Sequence, residues 1–244
     1  MILLPLLLQT VAPVETPEAR FDRCVDLATG SDPGQGAAEA SAWRLAGGGF
    51  LARQCLGMAY ARSGNFAGAA GAFSEAAHEA EVAHDARAAN YWAQAGNAWL
   101  AAGDPVKART ALNAALSSGM LTGLPLGEAQ LDRARAAVAS GNLAAAREDI
   151  DKALASAADD PLAWLLSATL ARRMGDLDRA RKDIGEALKR SSDDAQVQLE
   201  AGNIAAAAGD ETGAKAGWQK AAELAPDSPA ATAARKALEQ FGAK

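Results

Sequence analysis

The chain has 244 residues, 65 of them alanine and only 12 aromatic, so any core must come from close contacts between elements carrying small side chains. Half the residues are hydrophobic and 22% are charged, with a mean hydropathy of −0.08, a balance that excludes a disordered or collagen-like chain. A net charge of −6 has the wrong sign for a protein that neutralises phosphates, and no apolar run approaches the roughly 18 residues of a membrane-spanning helix, so nucleic acid and a transmembrane segment are not expected.

Taken in chain order, residues 1–14 carry no charged side chain, and an apolar run Ile2 to Leu8 leads to the small-residue site Thr10, Val11, Ala12. This is read as a short signal peptide, the alternative being a plain apolar N-terminus without a basic residue ahead of the run. Residues 15–49 form a helical cap: a helix Pro17 to Ala28 containing Phe21, Cys24 and Val25, a loop Ser31 to Gly36, and a helix Ala37 to Leu45 carrying Trp43. Gly47, Gly48 and Gly49 break the chain before Phe50. Cys24 and Cys55 are the only cysteines, and a bridge between them would contribute about 3 to 4 kcal/mol; the alternative is two buried thiols. Leader and bridge together predict export, to the bacterial periplasm or beyond, with a cytoplasmic protein as the alternative.

From residue 50 the chain repeats. Gly141, Gly175 and Gly209 are spaced by 34 residues, and Ala146, Ala180 and Ala214, then Ile150, Ile184 and Trp218, then Ala153, Ala187 and Ala221 keep the same register. Gly103 with Ala108, Leu112 and Ala115, and Gly64 with Ala69, Phe73 and Ala76, extend the pattern backwards at offsets of 38 and 39 residues. The extra residues are placed between units, around His84 to Ala88 and Gly123 to Leu126. In each unit a helix runs into a glycine that can end it in a left-handed conformation, and Asn65, Asp104, Asn142, Asp176 or Asp210 follows to start the next helix. A hairpin of this kind cannot bury its own apolar face; stacked neighbours bury it. The five units are predicted at 50–83, 89–122, 127–160, 161–194 and 195–228, and residues 229–244 supply a capping helix with Ala234, Leu238 and Phe241 on one stripe.

The pattern resembles the tetratricopeptide repeat: Leu56, Gly57 and Tyr60 with Ala69 and Phe73 match it in the first unit, Trp92, Gly96 and Trp99 with Ala108 in the second, Trp164 with Ala180 in the fourth, and Gly202 with Ala214, Trp218 and Pro226 in the fifth. The third unit departs, with Gln130, Arg133 and Ala134 where Trp, Leu and Gly would stand. The resemblance implies an all-α solenoid of stacked helical hairpins, a right-handed superhelix whose concave face is lined by the first helix of each unit and commonly holds peptides or helices of other proteins. Its inward positions fall on Gln54, Met58 and Arg62, on Asn90 and Asn97, on Glu128 and Arg135, on Thr169, Arg172 and Arg173, and on Gln196, Glu200 and Asn203.

From that set Arg62, Asn97, Arg135, Thr169, Arg172, Arg173 and Asn203 are expected to contact the ligand. Side-chain amides at Asn97 and Asn203 can bond an extended backbone, and four arginines in the groove of an acidic protein favour an acidic segment or a terminal carboxylate. The alternative is that these arginines pair with carboxylates on adjacent helices. Gln54 and Met58 replace the Lys and Asn with which some family members clamp a terminal carboxylate, so that mode is not expected.

Catalytic constellations are missing. His78 and His84, six residues apart with Glu75, Glu81 and Asp85 nearby, are the one candidate metal centre, but Val82 stands where a zinc-protease motif needs His. The segment 209–215, GDETGAK, lacks the spacing and final hydroxyl of a phosphate loop, and there is no Gly-x-Ser-x-Gly elbow or Cys-x-x-Cys pair. The expectation is a noncatalytic, cofactor-free scaffold binding a protein or peptide. A self-associating architectural protein is the second reading, and a metal enzyme around His78 and His84 the third.

Overall fold

The structure, a computed structural model, describes residues 15–242. The residues read as a signal peptide, 1–14, lie outside the described range. Among the described residues there are thirteen α-helices and no strand. Helices α1 (Pro17–Thr29) and α2 (Pro33–Leu45) precede five hairpins: α3 (Gly49–Arg62) with α4 (Phe66–Val82), α5 (Ala88–Ala101) with α6 (Pro105–Ser117), α7 (Gly123–Ala139) with α8 (Leu143–Ser156), α9 (Pro161–Arg173) with α10 (Leu177–Arg190), and α11 (Ala195–Ala207) with α12 (Glu211–Leu224). Helix α13 (Pro229–Gly242) closes the stack. From α2 onward each helix packs chiefly on its neighbours in chain order, with further contacts between α5 and α7, α9 and α11, and α11 and α13, the connectivity of an α-solenoid, while α1 packs on α3 as closely as on α2.

The turn within each hairpin follows from two residues. At the end of α3, Gly64 takes φ +78°, and the next residue, Asn65, donates its backbone N–H to the Tyr60 carbonyl at 2.9 Å, closing the helix. The Asn65 side chain then accepts from the Gly68 N–H, capping α4. Asp104, Asn142, Asp176 and Asp210 cap α6, α8, α10 and α12 in the same way.

Behind the turns, the small-residue columns set the helix spacing. A Cβ on Gly96 would come within 2.4 Å of Leu112 Cγ, and one on Gly57 within 2.6 Å of the Phe73 ring, so α5 lies directly on α6 and α3 on α4. Alanines such as Ala69, Ala76, Ala108, Ala115, Ala146 and Ala153 are fully buried, and Phe73, Leu112, Ile150, Ile184 and Trp218 fill the space between them.

Two segments differ from the sequence reading. The predicted loop Ser31 to Gly36 is largely helix: α2 begins at Pro33, whose missing N–H costs nothing at that position, and Asp32 accepts from the Gly34 N–H. Gly36 then packs so closely on Ala28 that an added Cβ would lie 2.4 Å from its Cα. The second is Gly123 to Leu126, predicted between units; it is the first turn of α7, which therefore begins four residues before the predicted start of the third unit at 127. At the other insertion, His84 adopts φ +53° and Asp85 accepts from the Arg87 N–H at 2.9 Å, making a real connector ahead of α5.

The N-terminal cap is tied to the first hairpin covalently. Cys24 of α1 and Cys55 of α3, both fully buried, are joined by a disulfide with a Cα–Cα separation of 6.2 Å.

Candidate functional site

A groove of about 840 Å³ opens across the first helices of the first three hairpins, with α3, α5 and α7 supplying most of its lining. Met58 from α3, Phe66 and Phe73 from α4 and Ala93 from α5 give it an apolar floor. Phe66 is 38% exposed, so part of its ring remains open to the groove. Along the middle helix, Asn90, Gln94 and Asn97 recur at i, i+4 and i+7, which places three carboxamides on one stripe facing the groove.

Of the residues expected to contact a ligand, Arg62, Asn97 and Arg135 line this groove. Thr169, Arg172, Arg173 and Asn203 belong to α9 and α11 and do not. Several of the set already have partners within the protein. The Asn97 amide donates to Asp132 Oδ2 at 2.8 Å, and Arg135 donates to the other oxygen of the same carboxylate at 2.8 Å. Arg172 makes a two-point pair with Glu200, from Nε at 2.6 Å and from an Nη at 3.2 Å. Asn203 donates to Glu200 at 3.1 Å while its carbonyl oxygen accepts from the Trp218 indole at 3.0 Å. Thr169 donates back to the Leu165 carbonyl within its own helix. Arg62 and Arg173 are exposed and, among the described residues, make no ion pair.

Residues the sequence reading passed over complete the picture. Asp132 neutralises Arg135 and orients Asn97, and its i, i+3 spacing from Arg135 was the available signal. Gln94 was not assigned to the groove; its Oε1 is screened from solvent and has no hydrogen-bond partner. Trp43 and Trp218 are buried in packing, while Trp92 donates to Glu81 and Trp164 to the Ala158 carbonyl.

The histidines do not assemble a site. His78 faces Glu81 through Nδ1 at 3.3 Å and packs edge-on against Trp92, whereas His84 occupies the connector after α4. Among the described residues no group of three or more His, Cys, Asp and Glu side chains is placed to hold a metal ion. The reading of a metal centre at His78 and His84 therefore lacks the convergent ligands it needs. No helix among the described residues is long and apolar enough to cross a membrane.

The tetratricopeptide-repeat family matches residues 56–121, 131–173 and 165–229, and the chain belongs to that family. No curated protein sequence matches it. Among solved structures, a chain of the APC/C hetero-tetramer Cut9–Hcn1 superposes with a TM-score of 0.71 at 13% identity, over 92% of this chain but 43% of that one, so the chain spans under half of that relative's length. PilW, described as a widely conserved type IV pilus biogenesis factor, gives a TM-score of 0.72 at 18% identity over 88% of this chain and 96% of that one. YrrB, described as a TPR protein with an unusual peptide-binding site, gives 0.57 at 19% identity over 80% and 96%. At such identities the likeness is one of fold.

Proposed function

We propose that the protein is a noncatalytic scaffold that holds a segment of a partner protein in the groove across α3, α5 and α7. The observation that carries this reading is the groove itself: an apolar floor next to side-chain amides on a face where Phe66 stays partly uncovered. Apolar floors anchor side chains, and the amides offer donors and acceptors for a peptide backbone. A repeat fold of this kind is typically a scaffold, and YrrB, of similar fold, is described as having a peptide-binding site. The proposed contacts are Arg62, Asn90, Gln94 and Asn97, with Asp132 and Arg135 acting as one neutral unit.

The test is affinity capture from extracts of the native host with the wild type and with an Arg62→Ala, Asn90→Ala, Asn97→Ala variant whose helicity and melting are unchanged. Partners held by the wild type should be lost from the variant. An unchanged partner set would move binding off this groove.

We also infer that the protein works in an oxidising compartment such as the bacterial periplasm. The buried bridge between α1 and α3 supports this, because disulfides persist where thiols are not kept reduced. Denaturing the protein from cells with a thiol reagent present and no reductant should label neither cysteine; two labelled thiols would contradict export.

A further inference from the structure

We propose that the segment this groove accepts is an extended peptide of dipolar charge, with an acidic residue at the α3 end and a basic residue at the α7 end. This rests on the groove reading above and adds the chemistry of the occupant. The charges lining the groove divide into those already neutralised and those left over. Arg135 is held by Asp132, which also takes the Asn97 amide. Two exposed charges of opposite sign remain without an ion pair among the described residues: Arg62, in the last turn of α3, and Glu128, in the second turn of α7. Successive first helices of antiparallel hairpins run the same way, so these two charges stand at opposite ends of a line drawn diagonally across α5. Complementarity asks for a carboxylate near Arg62 and a cation near Glu128.

The helix between them favours an extended main chain. Asn90 and Gln94 are one turn apart, about 6 Å along α5, close to the roughly 6.6 Å at which an extended chain repeats its same-side groups. Gln94 Oε1 has no hydrogen-bond partner, and a turn of the side chain toward the groove would let it accept from a backbone N–H there. Met58 and Phe66, beside Arg62, then seat an apolar side chain next to the acidic one.

Selection of a displayed library of random peptides tests this, run on the wild type, Arg62→Glu, Glu128→Lys and a groove-filled Asn90→Trp variant. All three substitutions fall at exposed positions, and melting curves check that each variant is folded. The wild type should enrich peptides carrying an acidic and a basic residue at fixed separation. Arg62→Glu should reverse the sign selected at the first position alone and Glu128→Lys at the second alone. Each charge reversal should weaken wild-type peptides at least about tenfold, and Asn90→Trp should abolish enrichment. Enrichment that Asn90→Trp abolishes but neither charge reversal alters would overturn the dipolar inference and leave the groove standing. No enrichment by the wild type beyond that of Asn90→Trp would overturn both.

Discussion

At the residue scale, most of the buried polar side chains in this protein tie helices together. Ser167 and Asp183, on α9 and α10, are buried and hydrogen-bonded to each other; Arg147 of α8 donates to Ser167 Oγ at 2.8 Å and Arg179 to Asp183 at 3.2 Å. Burial draws the Arg147 guanidinium below its ordinary pKa, a sign of how little water reaches this contact between hairpins. The connector after α4 shows the acid-sensitive counterpart. Hydrogen bonds from the Arg87 side chain and backbone hold the Asp85 carboxyl down to about 2, and Lys189 with Arg190 holds Glu186 down to about 2. A carboxyl depressed in the folded state adds stability above its unfolded value near 3.9 to 4.3 and loses it as pH falls toward 2. Asp85→Asn should therefore cost about 1 kcal/mol at pH 7, solvent screening keeping the figure small, and only a small part of that at pH 2. Thermal melts of both proteins between pH 7 and 2 measure this, and a difference that persists unchanged at pH 2 would contradict it.

At the scale of the element, two glycines in neighbouring hairpins should behave in opposite ways. Gly217 of α12 lies against the backbone of α11, where an added Cβ would sit 2.7 Å from Gly202 N and 2.8 Å from its Cα. Neither atom can rotate away, so Gly217→Ala should force the hairpin apart and cost about 2 kcal/mol or more. Gly185 of α10 has nothing within 4 Å of a new Cβ, and Gly185→Ala should stabilise by up to about 1 kcal/mol through helix propensity alone. Denaturant melts of the two variants would show shifts of opposite sign. What was legible in the sequence lies at this scale. The turn glycines with their Asn and Asp caps, and the alanine columns, are local signals that recur in register, so the helices from α3 to α12 could be read directly. Gly123 to Leu126 was misplaced because the added residues extend a helix rather than a loop, and the pattern of the repeat contains nothing that tells these apart. The groove was half legible. Register placed Arg62, Asn97 and Arg135 on it, yet Arg172 and Glu200 meet across 28 residues, and Asn97 meets Asp132 across 35, contacts that depend on how adjacent hairpins are rotated.

At the scale of the whole molecule, a solenoid has no single core, and each hairpin is stabilised by its neighbours. The ends are then the weak points. Here α13 covers one end, with Phe241 edge-on against Trp218, and the disulfide fastens α1 to α3 at the other. Closing a loop between residues 24 and 55 contributes about 3 to 4 kcal/mol in the chain-entropy picture. In Cys24→Ser, Cys55→Ser protein, amide exchange in α1 to α3 should quicken by roughly several hundredfold while α9 to α13 stay protected. A uniform loss of protection would mean that the stack opens as one unit. The groove adjoins this stapled end, since Thr29 at the end of α1 and Met58 and Arg62 of α3 all line it, so the bridge also holds one wall of the site in place.

The proposed scaffold holds a partner segment in the groove across α3, α5 and α7. Photo-crosslinking would trap that segment, with the reactive side chain introduced at Ala101, exposed at the end of α5 where it lines the groove, or at Arg109, exposed on α6 of the same hairpin. In the native host a discrete adduct is expected from position 101 and none from position 109. Adducts from position 109 alone, or equal adducts from both, would contradict it.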